Sequence, residues 1–190
     1  LWTAVETLIG FRSGDEDKIN VVCDILTSIL NRTYLYSHIT QLHKDIMAVC
    51  GKNGEDTLSS IAGEEQPVWK LKDCQEDYDK LYHLCEEYPL LQYRMEYFSK
   101  KVFVNSESVY KELVRHKAKL RWHIMRIYRN RNMIVHNGEY MPYLNVILGN
   151  LHYYIDAMFD LLIEYCHLEI EHNHNIFYHV QKEEMQYWNC

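Results

Sequence analysis

Turn-forming residues are scarce in this chain. It has 7 glycines and 3 prolines in 190 residues, about 5% where an ordinary globular protein carries about 12%. Many short strands need many turns, so a sandwich or propeller is disfavoured and long helices are favoured. No internal repeat, low-complexity tract or clear linker interrupts the chain. There is no Gly-rich phosphate loop, no Ser-His-Asp order and no HExxH. The six cysteines (Cys23, Cys50, Cys74, Cys85, Cys166, Cys190) form no CxxC and no tight cluster. A chain of this size needs no disulfide framework, so they read as reduced thiols of a cytoplasmic protein. The longest stretch without Asp, Glu, Lys or Arg is 140–155, too short and too polar to span a bilayer, so no membrane partner is expected. The chain opens at Leu1, without Met and directly in an apolar pattern. That start is expected of a fragment of a longer protein.

What is there is apolar and helical. Hydrophobic residues make up 47% and charged residues 25%, the balance of a globular protein rather than a disordered one. Apolar residues recur at i, i+3, i+4 nearly throughout. One such stripe is Ile19, Val22, Cys23, Leu26, Ile29 and Leu30; another is Leu35, Ile39, Leu42, Ile46 and Val49. A third is Leu144, Leu148, Leu151, Ile155, Met158, Leu162 and Cys166. Residues 51–70 are the least regular and read as a long loop with one short helical turn. A long helix begins at Asn105 or Ser106 and stops at Asn137-Gly138. The sum is an all-α fold, one helical bundle domain of about six to eight helices over residues 1–190.

The net charge is −7, which is not the bulk charge of a nucleic-acid binder. It is, however, segregated. Residues 111–131 hold eight bases and the single acid Glu112, so that stretch carries +7 and the remainder −14. Segregation of this kind provides an electrostatic footprint.

On a wheel of the long helix, Val109, Leu113, Leu120, Ile124, Ile127 and Ile134 form a core stripe, with Arg131 inside the same sector. A buried arginine is costly unless it is paired or borders a cleft. Ala118, Trp122, Met125, Arg129, Asn132 and His136 form a second seam. The bland reading is a central helix packed on both sides, with Trp122 in the packing seam. The sharper one is a dimer interface leading to a site at His136. Arg131 and His136 lie about 140° apart on an ideal helix. One chain brings them together only if the helix frays at 135–138; otherwise a second chain contributes. His123, at the edge of the core stripe, reads as a buried, hydrogen-bonded histidine. Cys166, His167, His172 and His174 match no common zinc spacing, and no metal site is expected.

The segment Arg129-Asn130-Arg131-Asn132-Met133-Ile134-Val135-His136-Asn137-Gly138 resembles the signature of HEPN domains (higher eukaryotes and prokaryotes nucleotide-binding). That signature is Arg, a polar residue, three residues, then His, and it falls on Arg131, Asn132 and His136. The ending looks most like the Apea-like branch, and the opening Leu1 to Gly10 is similar to that branch's first helix. The resemblance implies a helical, usually dimeric domain, often a metal-independent endoribonuclease without a cofactor. Such nucleases serve antiviral defence, toxin–antitoxin and RNA-processing systems, so tRNA or single-stranded RNA is the implied substrate. A regulatory domain or antitoxin is the implied further partner. The alternative is a non-catalytic HEPN-like domain for dimerisation, nucleotide sensing or partner binding.

The residue chemistry is consistent with cleavage by the RNA's own 2′-OH. Histidine takes or gives the proton, and arginine holds phosphate bidentately. Arg129 also fits a looser spacing to His136; with Arg131 catalytic, Arg129 becomes an RNA contact. Arg126, Lys119, Arg121 and Tyr140 are further candidate RNA contacts, and Glu6 is a candidate support that pairs with the site arginine. Trp122 offers a base-stacking surface, although the packing seam is the preferred reading for it.

Overall fold

The computed structural model describes residues 1–11, 17–61, 75–138, 142–166 and 173–187, with backbone only for 52–61, 173–175 and 184–187. Among these residues there are eight α-helices, one π-helical segment and no strand. The helices are α1 (Trp2–Ile9), α2 (Lys18–Arg32), α3 (Tyr34–Ile61), α4 (Gln75–Leu84), α5 (Pro89–Tyr97), α6 (Ser106–Asn137), α7 (Leu144–Tyr165) and α8 (Asn173–Tyr187). The all-α class expected from periodicity is what the chain adopts.

The chain divides into two compact units. The first comprises Leu1–Arg32 and His116–Cys190. Within it α2 packs on α1, α7 and α8. Trp2, Val5 and Ile9 of α1 are all buried, each worth about 1.5–3 kcal/mol of apolar burial. The Trp2 ring lies 5.4 Å from that of Tyr128. The polar residues buried on α2 are satisfied locally. Ser28 donates to the Asp24 carbonyl at 2.8 Å, and Asn31 Oδ1 lies 3.0 Å from His116 Nδ1.

In α7 the buried line is Ile147, Leu151, Tyr154, Ile155, Met158, Leu161 and Tyr165. The sequence stripe had the right period but the wrong centre, because the aromatic bodies of Tyr154 and Tyr165 sit inside while Cys166 is exposed. By length and composition α7 is the one described helix able to cross a membrane. Its buried line packs against α2 and α8, while Val146, Tyr153, Phe159 and Ile163 stay exposed. Asp156 and Asp160 lie on the exposed side.

The second unit is Thr33–Arg115. Here α3 packs on α4 and α5 around Ile39, Leu42, Ile46, Tyr78, Leu81, Leu91 and Met95. Two local features escaped the periodicity. Helix α3 does not end at Gly51. It breaks there, at φ 54° and ψ −138°, and resumes to Ile61, so the loop expected over residues 51–70 is helical to 61, and the rest of that expectation lies outside the described residues. Glycine takes that positive φ without a steric penalty. In addition, α5 runs into a π-helical segment, Phe98–Val102.

Beside that segment Glu112 is 7% exposed. It accepts hydrogen bonds from Tyr34 Oη at 3.0 Å and Tyr97 Oη at 2.8 Å, and it pairs with Arg115. Burial alone would push this carboxyl up, but the bonds from Arg115, Tyr97 and Tyr34 together outweigh burial and hold it below its ordinary value. Burial first, then Glu112, pushes both phenols up, so each keeps the proton it donates.

Candidate functional site

The signature residues all lie on the last two turns of α6. Its start is set by Asn105, whose Oδ1 accepts from the Ser108 amide at 2.8 Å, an N-cap as expected. Its end is set by Gly138, at φ +66°, whose amide donates to the Ile134 carbonyl at 3.0 Å. The helix does not fray before that point. It is helical through Asn137, and His136 stands exposed in its last turn.

Arg131 is half-buried on the core side, and its Nη1 donates to Asn132 Oδ1 at 2.9 Å. The 140° between Arg131 and His136 is therefore held by a continuous helix. The helix as it stands therefore does not bring Arg131 and His136 of one chain together. Asn132 and His136, four residues apart, share a face.

The other side of the helix differs from its sequence reading. Trp122 is 80% exposed, so no packing seam among the described residues covers it. Ala118, Arg129 and His136 of the same seam are also exposed. Lys119, Trp122, Arg126 and Arg129 fall within a sector of about 80°, with His136 about 20° beyond Arg129. All are exposed, and among the described residues no ion pair holds Lys119, Arg126 or Arg129. A second copy of the Lys119–Arg129 stretch would set lysines and arginines against their own kind, a repulsive arrangement, so that stretch, short of His136, suits an anionic partner.

Arg121 does not belong to that face. Its guanidinium bonds Asp24 and Asn20 of α2, which makes it a tie within the first unit. Glu6 is half-exposed on α1 and, among the described residues, in no ion pair within the chain. Tyr140 lies outside the described residues. So do His167 and His172 and the side chain of His174. Among the described residues no cluster of three candidate metal ligands occurs.

His123 behaves as expected of a core histidine. Asn150 Nδ2 donates to its Nε2 at 3.4 Å, so Nδ1 carries the proton and donates to Tyr154 Oη at 2.6 Å. Burial, then Arg126, lowers its pKa, which keeps it neutral. The Glu112 cluster escaped the sequence reading. Its one signal was a lone acid in a basic run, three residues before Arg115.

No family model, no curated protein and no solved structure matches the chain.

Proposed function

We propose that the chain is a metal-independent endoribonuclease of HEPN type, cleaving RNA through 2′-OH attack at a site composed across a homodimer. The observation that carries this reading is an exposed His136 on the same continuous face as Lys119, Trp122, Arg126 and Arg129. A polyanion lying on that face reaches a group able to move protons at neutral pH. Arg131, turned about the helix from His136 and joined to Asn132, supplies the phosphate-holding fork from the second chain. Two His136 copies across the twofold axis divide the acid and base roles. Defence or toxin-type RNA degradation in the cytoplasm, under an antitoxin or regulatory domain, is the setting that fits such an activity.

The test is cleavage of mixed tRNA and single-stranded RNA in EDTA. Wild type is expected to cut and to leave 2′,3′-cyclic phosphate ends; His136→Ala and Arg131→Ala are expected not to. If all three behave alike while folded and dimeric, the non-catalytic HEPN-like reading replaces this one.

Binding separates the cationic residues. Lys119→Gln and Arg126→Gln are each expected to lower the salt slope of RNA binding by about 1. Arg121→Gln is expected to leave that slope unchanged and to lower the unfolding midpoint. Trp122→Ala is expected to change stability by less than about 0.5 kcal/mol and to weaken binding by about 1–3 kcal/mol. Fluorescence anisotropy in a salt series, with a thermal melt of each variant, reads both.

A further inference from the structure

Two thiols of the second unit face each other. Cys50 Sγ lies 3.5 Å from Cys85 Sγ, and both residues are free cysteines. Cys50 ends the first helical stretch of α3, immediately before the break at Gly51. Cys85 follows the last residue of α4, its amide still bonded to the Leu81 carbonyl at 3.1 Å. The two helices pack directly on each other. A disulfide has sulfurs about 2.05 Å apart, so closing the bond asks for an approach of about 1.5 Å. That displacement is within reach of side-chain rotation at Cys50, whose next residue is a glycine outside helical geometry.

Access differs between the two. Cys85 is fully buried among Ile46, Tyr78, Leu81 and Met95, while Cys50 is half-buried at the rim. We infer that Cys50 and Cys85 are a reversible redox modification site, in which hydrogen peroxide oxidises Cys50 and Cys85 resolves it to an intramolecular disulfide.

The steps balance. The Cys50 thiolate attacks one peroxide oxygen and the O–O bond breaks. Cys50 becomes a sulfenic acid, and the departing oxygen takes a proton and leaves as water. Cys85 sulfur then attacks Cys50 sulfur, the S–O bond breaks, and the hydroxide leaves as a second water carrying the Cys85 proton. Two thiols have lost two electrons, and the peroxide has been reduced to two waters. A dithiol reductant reverses the bridge by supplying two electrons and two protons.

The surroundings suit this order. Burial, followed by the hydrogen bond and charge of Cys50, pushes the Cys85 thiol up to about 12, so it is not a site of first attack. A neutral disulfide costs less in this apolar core than a thiolate. Cys23 is buried and Cys166 exposed, and among the described residues neither faces another thiol. The bridge would close the chain from 50 to 85 and stabilise the second unit.

The test uses the full reduced chain treated with hydrogen peroxide, quenched with N-ethylmaleimide, digested and mapped by mass spectrometry. The expected result is a Cys50–Cys85 linked peptide as the main product, lost on dithiothreitol treatment and formed faster in native chain than in urea. Cys85→Ala is expected to leave Cys50 trapped as a dimedone-reactive sulfenic acid, and Cys50→Ala to leave Cys85 a thiol. The wild-type map stands even if a variant fails to fold. The inference is overturned if both thiols are alkylated at peroxide doses that oxidise Cys166. It is also overturned if dimedone marks Cys85 first, or if Cys50 bridges to other cysteines in comparable yield.

Discussion

Replacing His136 with alanine is expected to reduce RNA cleavage in EDTA about 10²–10⁴-fold, the usual contribution of a positioned acid or base. This corresponds to about 3–5 kcal/mol of barrier. The side chain is exposed in the last turn of α6 and nothing in the core rests on it, so the unfolding midpoint should not move. Loss of activity without loss of stability is the signature of a proton-transfer role. Arg131→Lys is a sharper companion than Arg131→Ala, because it keeps the charge and removes the planar fork that grips phosphate. Mixing chains carrying His136→Ala with chains carrying Arg131→Ala then tests the shared site. If one histidine and the partner's arginine suffice, half the dimers are mixed and each has one intact site, so activity returns to about a quarter of wild type. If both histidines are required, no activity returns. Arg129→Ala belongs in the same series. Arg129 lies only about 20° from His136 around the helix and is exposed beside it. A loss with Arg129→Ala as deep as with His136→Ala, and none with Arg131→Ala, would move the arginine role to Arg129.

Glu112→Ala is expected to cost about 3 kcal/mol, since it takes the charged acceptor from two half-buried phenol hydroxyls. At about 2–4 °C per kcal/mol for a chain of this size, the midpoint should fall by about 6–12 °C. Most of that comes from Tyr34 and Tyr97; the Arg115 side chain is half-exposed, and its share is screened by water. Glu112→Gln keeps the shape and separates the charge. The folded carboxyl is held below its ordinary value of 4.5, so the stabilisation is full above that value and is lost as pH falls through the lower folded one. Wild type should therefore lose stability more steeply than Glu112→Gln below about pH 4.5. Thermal melts across that range measure it, and parallel acid limbs would remove Glu112 from the account.

The helices were legible because i, i+3, i+4 spacing marks a buried stripe wherever a helix finds a partner. The spacing does not say which partner. That is why the two units, each with its own core, were invisible, and why α7 was centred one position away from its true line. Tyr154 and Tyr165 count as polar-tipped residues in a sequence and as apolar bodies in a core. The end of α6 was legible from Asn137-Gly138, because a left-handed C′ position demands glycine. The cationic face was legible as composition, but the fate of each base was not. Arg121 and Arg126 look alike in the sequence, and only the presence of Asp24 and Asn20 across the helix pair takes Arg121 out of the set. Trp122 shows the opposite failure. Its spacing matched a packing seam, and among the described residues nothing fills the other side.

The π-helical segment at Phe98–Val102 has an evolutionary consequence. A π turn is an α turn carrying one surplus residue. A relative that lacks one residue here would wind as plain α-helix, and everything before the gap would rotate by about 100°. Tyr97 would swing away from Glu112 and leave that carboxylate with one phenol fewer in a buried place. Deletion and acid should therefore be inherited together: chains with the shorter segment should carry an uncharged residue at position 112, and chains with Glu112 should keep the extra residue.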